Sequence, residues 1–166
     1  MQPTEEALAH GVPRDAGALP GVVPRAAETW LRIVQVHDRI TRRVDSALHR
    51  EHQLSLTGFE ALRRLAESPG GRASMGEVAD AVGLSRAGVT STIDRLVAEG
   101  LVVRERAGPD KRLLHARLTT SGRDRVERAT RTHDDIVAHL LTLLGDDAAV
   151  VTDALARVSA ATRSRR

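Results

Sequence analysis

The 166-residue chain has no cysteine and no tyrosine, and its only Phe, Trp or Tyr residues are Trp30 and Phe59. Without cysteine it has no disulfide, thiolate metal site, nucleophilic thiol or thiol redox sensor. So few rings leave no platform on which bases could stack, which argues against a single-stranded nucleic-acid module. No apolar run approaches the roughly 18 residues of a membrane helix. The opening MQPTEEALAHGVPRD is acidic and polar where a secretory leader would be basic and then apolar. A cytoplasmic protein with no membrane partner is expected. Catalytic signatures are missing too: no Gly-x-Ser-x-Gly elbow, no phosphate-cradling glycine loop, no pair of carboxylates in an apolar setting. Asp134-Asp135 and Asp146-Asp147 lie in polar surroundings and read as helix surface and cap. Neither an enzyme nor a cofactor is expected.

Lysine is nearly absent as well; every basic residue except Lys111 is arginine. With no Tyr or Cys to titrate, a formal net charge of +3 produces a pI of about 10.7, so the position of the charge matters more than its total. Between Arg86 and Arg117 stand Arg86, Arg95, Arg104, Arg106, Lys111, Arg112 and Arg117 against Asp94, Glu99, Glu105 and Asp110. That stretch carries the whole excess.

Residues 1–25, with Pro3, Pro13, Pro20 and Pro24 and no apolar periodicity, read as a flexible N-terminal arm. From 26 to 50 the apolar positions Trp30, Ile33, Val34, Ile40, Val44 and Leu48 recur at steps of three and four, the pattern of a long amphipathic helix. A shorter helix follows, with Thr57 as N-cap, Glu60 as its capping-box partner and Phe59, Leu62 and Leu65 facing inward; Ser68-Pro69-Gly70-Gly71 ends it. Ser74 and Glu77 form a second capping box, opening a helix with Met75, Val78, Ala79 and Val82 inside, which Gly83 stops. Ser85 caps the next helix, 85–99, whose inner face is Val89, Ile93, Leu96 and Val97, and Gly100 ends it. Within 101–118, two alternating segments flank Ala107-Gly108-Pro109-Asp110, a hairpin signal. The remainder is helical: a stripe from Val126 to Leu144, a break at Gly145, then a helix capped by Asp146 or Asp147 that carries Val150, Val151, Ala154, Leu155 and Val158.

A short helix, a turn at Gly83 and a second helix make a helix-turn-helix, because two steeply crossed helices need a residue that tolerates positive φ between them. Outward on the second helix stand Arg86, Ala87, Gly88, Thr90, Ser91, Asp94 and Arg95. Small and hydroxyl side chains there let the backbone approach a groove of duplex DNA. Arg86 then reaches a guanine edge or a phosphate, and Thr90 and Ser91 bond phosphates or bases. The hairpin that follows adds a wing, with Lys111 and Arg112 at its tip. The fold class expected is all-α with a small β-hairpin wing: a winged helix-turn-helix over 55–118 as the DNA-binding lobe, with long terminal dimerisation helices at 26–50 and 119–166. Those terminal helices are too long and too apolar to be satisfied within one protomer, so a two-fold homodimer is expected.

In this order and spacing the residues resemble the MarR family of bacterial winged-helix transcription regulators over nearly all of 26–158. The resemblance is carried by Leu84-Ser85-Arg86-Ala87-Gly88-Val89-Thr90, Ile93-Asp94-Arg95-Leu96, Glu99-Gly100-Leu101-Val102, and the run Asp110-Lys111-Arg112 followed by Leu118-Thr119 and Gly122. It implies a ligand-responsive homodimer, in most relatives a repressor, on a pseudo-palindromic duplex operator. Its recognition helices would enter major grooves at half-sites about one helical turn apart, and each wing an adjacent minor groove. It implies that Arg112 is inserted there, oriented by Asp110, and reads a groove whose narrowness deepens its negative potential. The DNA-binding set is then Ser85, Arg86, Ala87, Gly88, Thr90, Ser91, Arg95, Arg106, Asp110, Lys111 and Arg112. Several relatives carry a bulkier or basic residue where Ser91 stands, which weakens direct readout at that position. The resemblance also implies a small aromatic or anionic effector, for which Trp30, Ile33, His37, Phe59 and Leu62 offer an apolar wall and a titratable group; an aromatic stripe at helical spacing also reads as core. Of the seven histidines, His49 and His52 have a usable ligand spacing, but no dense His/Glu cluster accompanies them and no metal is expected. The alternatives are a ligand-binding dimer of the same fold without operator binding, a metal-responsive regulator using histidines, and a small enzyme using His37 or His133.

Overall fold

The computed structural model describes residues 22–106 and 114–163. The chain divides into two compact units, residues 1–38 and 39–166, with the boundary inside the first helix, α1 (Val22–His52). That helix begins ahead of the expected position 26. Pro24 is accommodated because the first N–H groups of a helix have no acceptor within it, so a residue lacking one costs nothing there.

In the first unit the described residues, 22–38, are helical, and those from Arg25 on are solvent-facing except the half-buried Val34. Trp30 is 65% exposed, and Leu31, Ile33 and Val36 are exposed beside it.

The second unit contains the rest of α1, then α2 (Leu56–Glu67), β1 (Arg72–Ser74), α3 (Met75–Val82), α4 (Arg86–Ala98), β2 (Val102–Arg106), β3 (Leu114–Leu118), α5 (Thr120–Leu141) and α6 (Ala148–Arg163). Its core gathers Val44 and Leu48 of α1, Phe59, Leu62 and Leu65 of α2, Val78 of α3, Val89, Ile93 and Leu96 of α4, and Val126 of α5. Helix α2 lies at the centre: Phe59, Ala61, Leu62 and Leu65 have no exposed surface at all. Fully burying each such Leu or Phe side chain stabilises the fold by roughly 1.5–3 kcal/mol.

Two expectations are corrected here. The N-cap of α2 is Ser55, not Thr57. The Ser55 hydroxyl accepts from the Gly58 N–H at 3.1 Å, while Asp45 of α1 accepts from the Leu56 N–H at 2.7 Å, so tertiary packing supplies the second cap that Glu60 was expected to provide. Val97 is 36% exposed, because the inward arc of α4 is already filled by Val89, Ile93 and Leu96.

The hairpin is part of a three-stranded antiparallel sheet in the order β1-β3-β2. β1 pairs Ala73 with Ala116 and Ser74 with His115, and β2 pairs Val102 with Leu118 and Arg104 with Ala116. Three residues are too few for β1 to show an alternation, so only its pairing reveals it. Ser74 ends β1 and caps α3 in the same place. Its hydroxyl accepts the Glu77 N–H, and the Glu77 carboxylate accepts the Ser74 N–H at 2.8 Å, the expected capping box. Gly83, at φ 65°, ends α3 in the left-handed conformation anticipated for it.

The Ser74 backbone N–H, and after it the Ser74 hydroxyl, hold the Glu77 carboxyl below its usual range. A depressed carboxylate pKa contributes stability that is present above the ordinary carboxylate range and lost as pH falls through the lowered value. Thermal unfolding of the parent chain and of Glu77→Gln should therefore differ near neutral pH and converge once the pH falls below the lowered value. A difference that persists unchanged into acid would show that the charged form of Glu77 makes no contribution.

Candidate nucleic-acid interface

Helix α4 is built as an exposed lever. Its N-cap hydroxyl, Ser85, accepts the Gly88 N–H at 3.2 Å, and Gly100, at φ 72°, turns the chain immediately after its C-cap Glu99. Val89, Ile93 and Leu96 fix its inner face. The opposite face presents Ala87, Ser91, Asp94 and Ala98, all exposed. Ala87 and Ser91 are short, so this face offers the low profile that close approach to a groove requires. Arg86 and Thr90, also exposed, stand on the flank toward the sheet, where with Ser74, Met75 and Leu114 they line a cleft of about 420 Å³.

The remaining expected contact residues are placed differently. Gly88 is half-buried, and a Cβ there would point at Leu84 and Ser85, so it faces the preceding turn rather than outward. The Thr90 hydroxyl donates to the Arg86 carbonyl at 2.8 Å, a bond it must release to donate to a phosphate. Arg95 lies on the α2 flank, donating to the Ser55 hydroxyl at 2.6 Å with Glu99 4.0 Å away. Arg106 ends β2. Asp110, Lys111 and Arg112 lie outside the described residues.

The basic excess of this region can now be resolved. Arg95 faces Glu99, Arg104 pairs with Asp94 at 2.8 Å, and Arg117 pairs with Glu105. In each of these three pairs a carboxylate offsets one arginine. Of the basic residues counted between Arg86 and Arg117, Arg95, Arg104 and Arg117 thus already face carboxylates of the same lobe.

The effector set divides between the two units. Trp30, Ile33 and His37 belong to the first, where His37 lies 3.3 Å from Asp38. Phe59 and Leu62 belong to the second and are wholly buried, so they serve as core there rather than as the open wall of a pocket. Within the second unit a groove of about 640 Å³ is lined instead by Arg43, Ser46, Arg50 and Glu51 of α1 and by Thr132, Asp135 and Ile136 of α5. Its two arginines had no periodicity to mark them. His52, one of the pair with ligand spacing, has its Nε2 2.8 Å from the Thr132 hydroxyl, and burial holds its pKa below the usual value. Among the described residues no three His, Cys, Asp or Glu side chains converge as a metal site, and no helix is long and apolar enough to cross a membrane.

A sequence profile described as the MarR family matches residues 52–113. The fold is similar to Sco3205, a MarR family transcriptional regulator from Streptomyces coelicolor solved in complex with DNA, with TM-score 0.74 and 26% identity over 81% of this chain and 88% of that one. It is likewise similar to AbsC from the same organism, with TM-score 0.74 and 27% identity over 82% of this chain and 93% of that one. A third MarR family regulator from it, Sco5413, has TM-score 0.72 and 27% identity over 87% of this chain and 99% of that one. No curated protein matches by sequence.

Proposed function

Starting from its similarity to MarR family transcriptional regulators, we propose that this chain is a homodimeric, ligand-responsive repressor that binds a pseudo-palindromic duplex operator. The observation that carries the reading is the outer face of α4. Short side chains at Ala87 and Ser91 lie opposite the buried Val89 and Ile93, and Arg86 stands at the helix start beside the sheet that bears the wing. Helix α4 enters a major groove. The wing, through Arg112, enters the adjacent minor groove, whose negative potential attracts a guanidinium. The solved complex of Sco3205 with DNA supports DNA as the partner.

The dimer reading rests on apolar surface that each unit leaves in water. Trp30, Leu31, Ile33 and Val36 are exposed in the first unit, and Leu143 at 84%, Val150 at 67% and Val158 at 62% in the second. Apolar side chains clustered on terminal helices are the kind of surface a second copy buries. The dimer represses by occluding a promoter. A small anionic effector finds charge partners in Arg43 and Arg50 of the groove between α1 and α5, and shifts the population toward a form whose recognition helices are wrongly spaced.

The test begins with duplexes that the full-length chain enriches from a random pool, followed by titration at two salt concentrations. A regulator shows salt-dependent, sequence-preferring affinity. Arg112→Ala should cost about 1–3 kcal/mol of binding while light scattering still shows a dimer. Unchanged affinity would remove the wing from the site, and failure to enrich any duplex would overturn the operator reading.

A further inference from the structure

Asp94 is out of place on a surface that meets a polyanion. It projects from the outer half of α4 with its side chain 57% exposed, where a carboxylate repels phosphate. Its partner explains it. Arg104 is the middle residue of β2, on the same strand face as the buried Val102 and opposite the buried Ala116 of β3. Its chain therefore starts on the inner side of the sheet, and the guanidinium emerges toward α4. There Nη2 donates to Asp94 Oδ1 at 2.8 Å and lies 3.4 Å from the Thr90 carbonyl, one helical turn earlier. At the base of the hairpin, the Thr119 N–H donates to the Leu101 carbonyl and the Thr119 hydroxyl to the Gly100 carbonyl. Arg104 adds a second point of attachment further along the strand that leads to the wing tip.

We propose that the Arg104–Asp94 ion pair clasps β2 to α4 and sets the angle of the wing to the recognition helix, so that both are positioning residues for operator binding. The proposal rests on the operator reading above. A pair this exposed contributes little to stability, and variants of it fold. What it supplies is geometry: helix and wing must meet two adjacent grooves at once, and a wing that swings loses its groove while the helix keeps its own.

The clasp and plain electrostatics predict opposite signs. If Asp94 merely faced DNA, Asp94→Asn would remove a repulsion and tighten binding. If Arg104 gripped a phosphate, Arg104→Gln would lower the salt slope by about one. The clasp predicts that Asp94→Asn weakens binding by about tenfold, that Arg104→Gln does the same, and that the double variant is no worse than either, because one interaction is lost in all three. The experiment uses the full chain and a duplex that the parent chain enriches from a random pool, with hydroxyl-radical footprinting beside the titrations. Protection should fall at the outer flanks met by the wings and persist where α4 lies, with the melting temperature unchanged. Tighter binding by Asp94→Asn, additive losses in the double variant, or uniform loss of protection would each overturn the clasp. A parent chain that enriches nothing would overturn the operator reading first, and the clasp's role with it.

Discussion

Gly122→Ala should prevent folding or lower stability by about 3 kcal/mol or more. Gly122 occupies the first turn of α5 at a place where two backbones touch: a Cβ there would lie 2.0 Å from the Leu101 carbonyl oxygen and 2.9 Å from its carbon. Neither atom can move cheaply. The same Leu101 carbonyl accepts the Thr119 N–H, and the Leu101 N–H in turn donates to the Leu96 carbonyl as α4 ends. Thr119 completes the junction, its hydroxyl accepting from the Gly122 N–H at 2.9 Å while donating to the Gly100 carbonyl at 2.8 Å. Denaturant unfolding is the measurement, with exposed Ser121→Ala as a control that should behave as the parent. Parental stability in Gly122→Ala would mean that α5 does not approach the end of α4 this closely.

Phe59→Ala should cost about 3–5 kcal/mol, the price of an emptied core site. Phe59 has no exposed surface. Its ring packs against the His133 ring at 5.2 Å between centroids and carries the Arg63 guanidinium 5.8 Å above it. The variant also separates two roles for this residue. A pocket wall would lose ligand response and keep its melting temperature; a core residue loses its melting temperature first. An unchanged melting temperature would return Phe59 to the effector site.

Much of the lobe was legible in the sequence because its signals are local. Ser74 with Glu77, Ser85 before α4, and Gly83 and Gly100 behind their helices act over three or four residues, so spacing alone revealed them. The run Leu118-Thr119 followed by Gly122 was legible only as part of a resemblance. Its physical reason, a threonine that caps α5 while holding Gly100 and a glycine pressed on Leu101, is visible only once both chain segments meet. The cap of α2 was misread for a related cause: Thr57 and Ser55 are equally good hydroxyls, and Asp45 of α1, eleven residues before Leu56, is what completes the capping at Ser55.

At the candidate site, the helix-turn-helix, the strands leading to and from the wing, and the concentration of positive charge were legible from residue order alone. These follow from periodicity, capping and composition, each a property of neighbouring residues. Folding in three dimensions was needed to reveal which of those charges face Asp94, Glu99 and Glu105, that Arg95 turns to Ser55, that Phe59 and Leu62 are buried in the core, and that β1 completes a sheet. Those outcomes depend on side chains brought together by packing from distant parts of the chain, and hydrophobic burial, which does the bringing, has no fixed spacing in sequence.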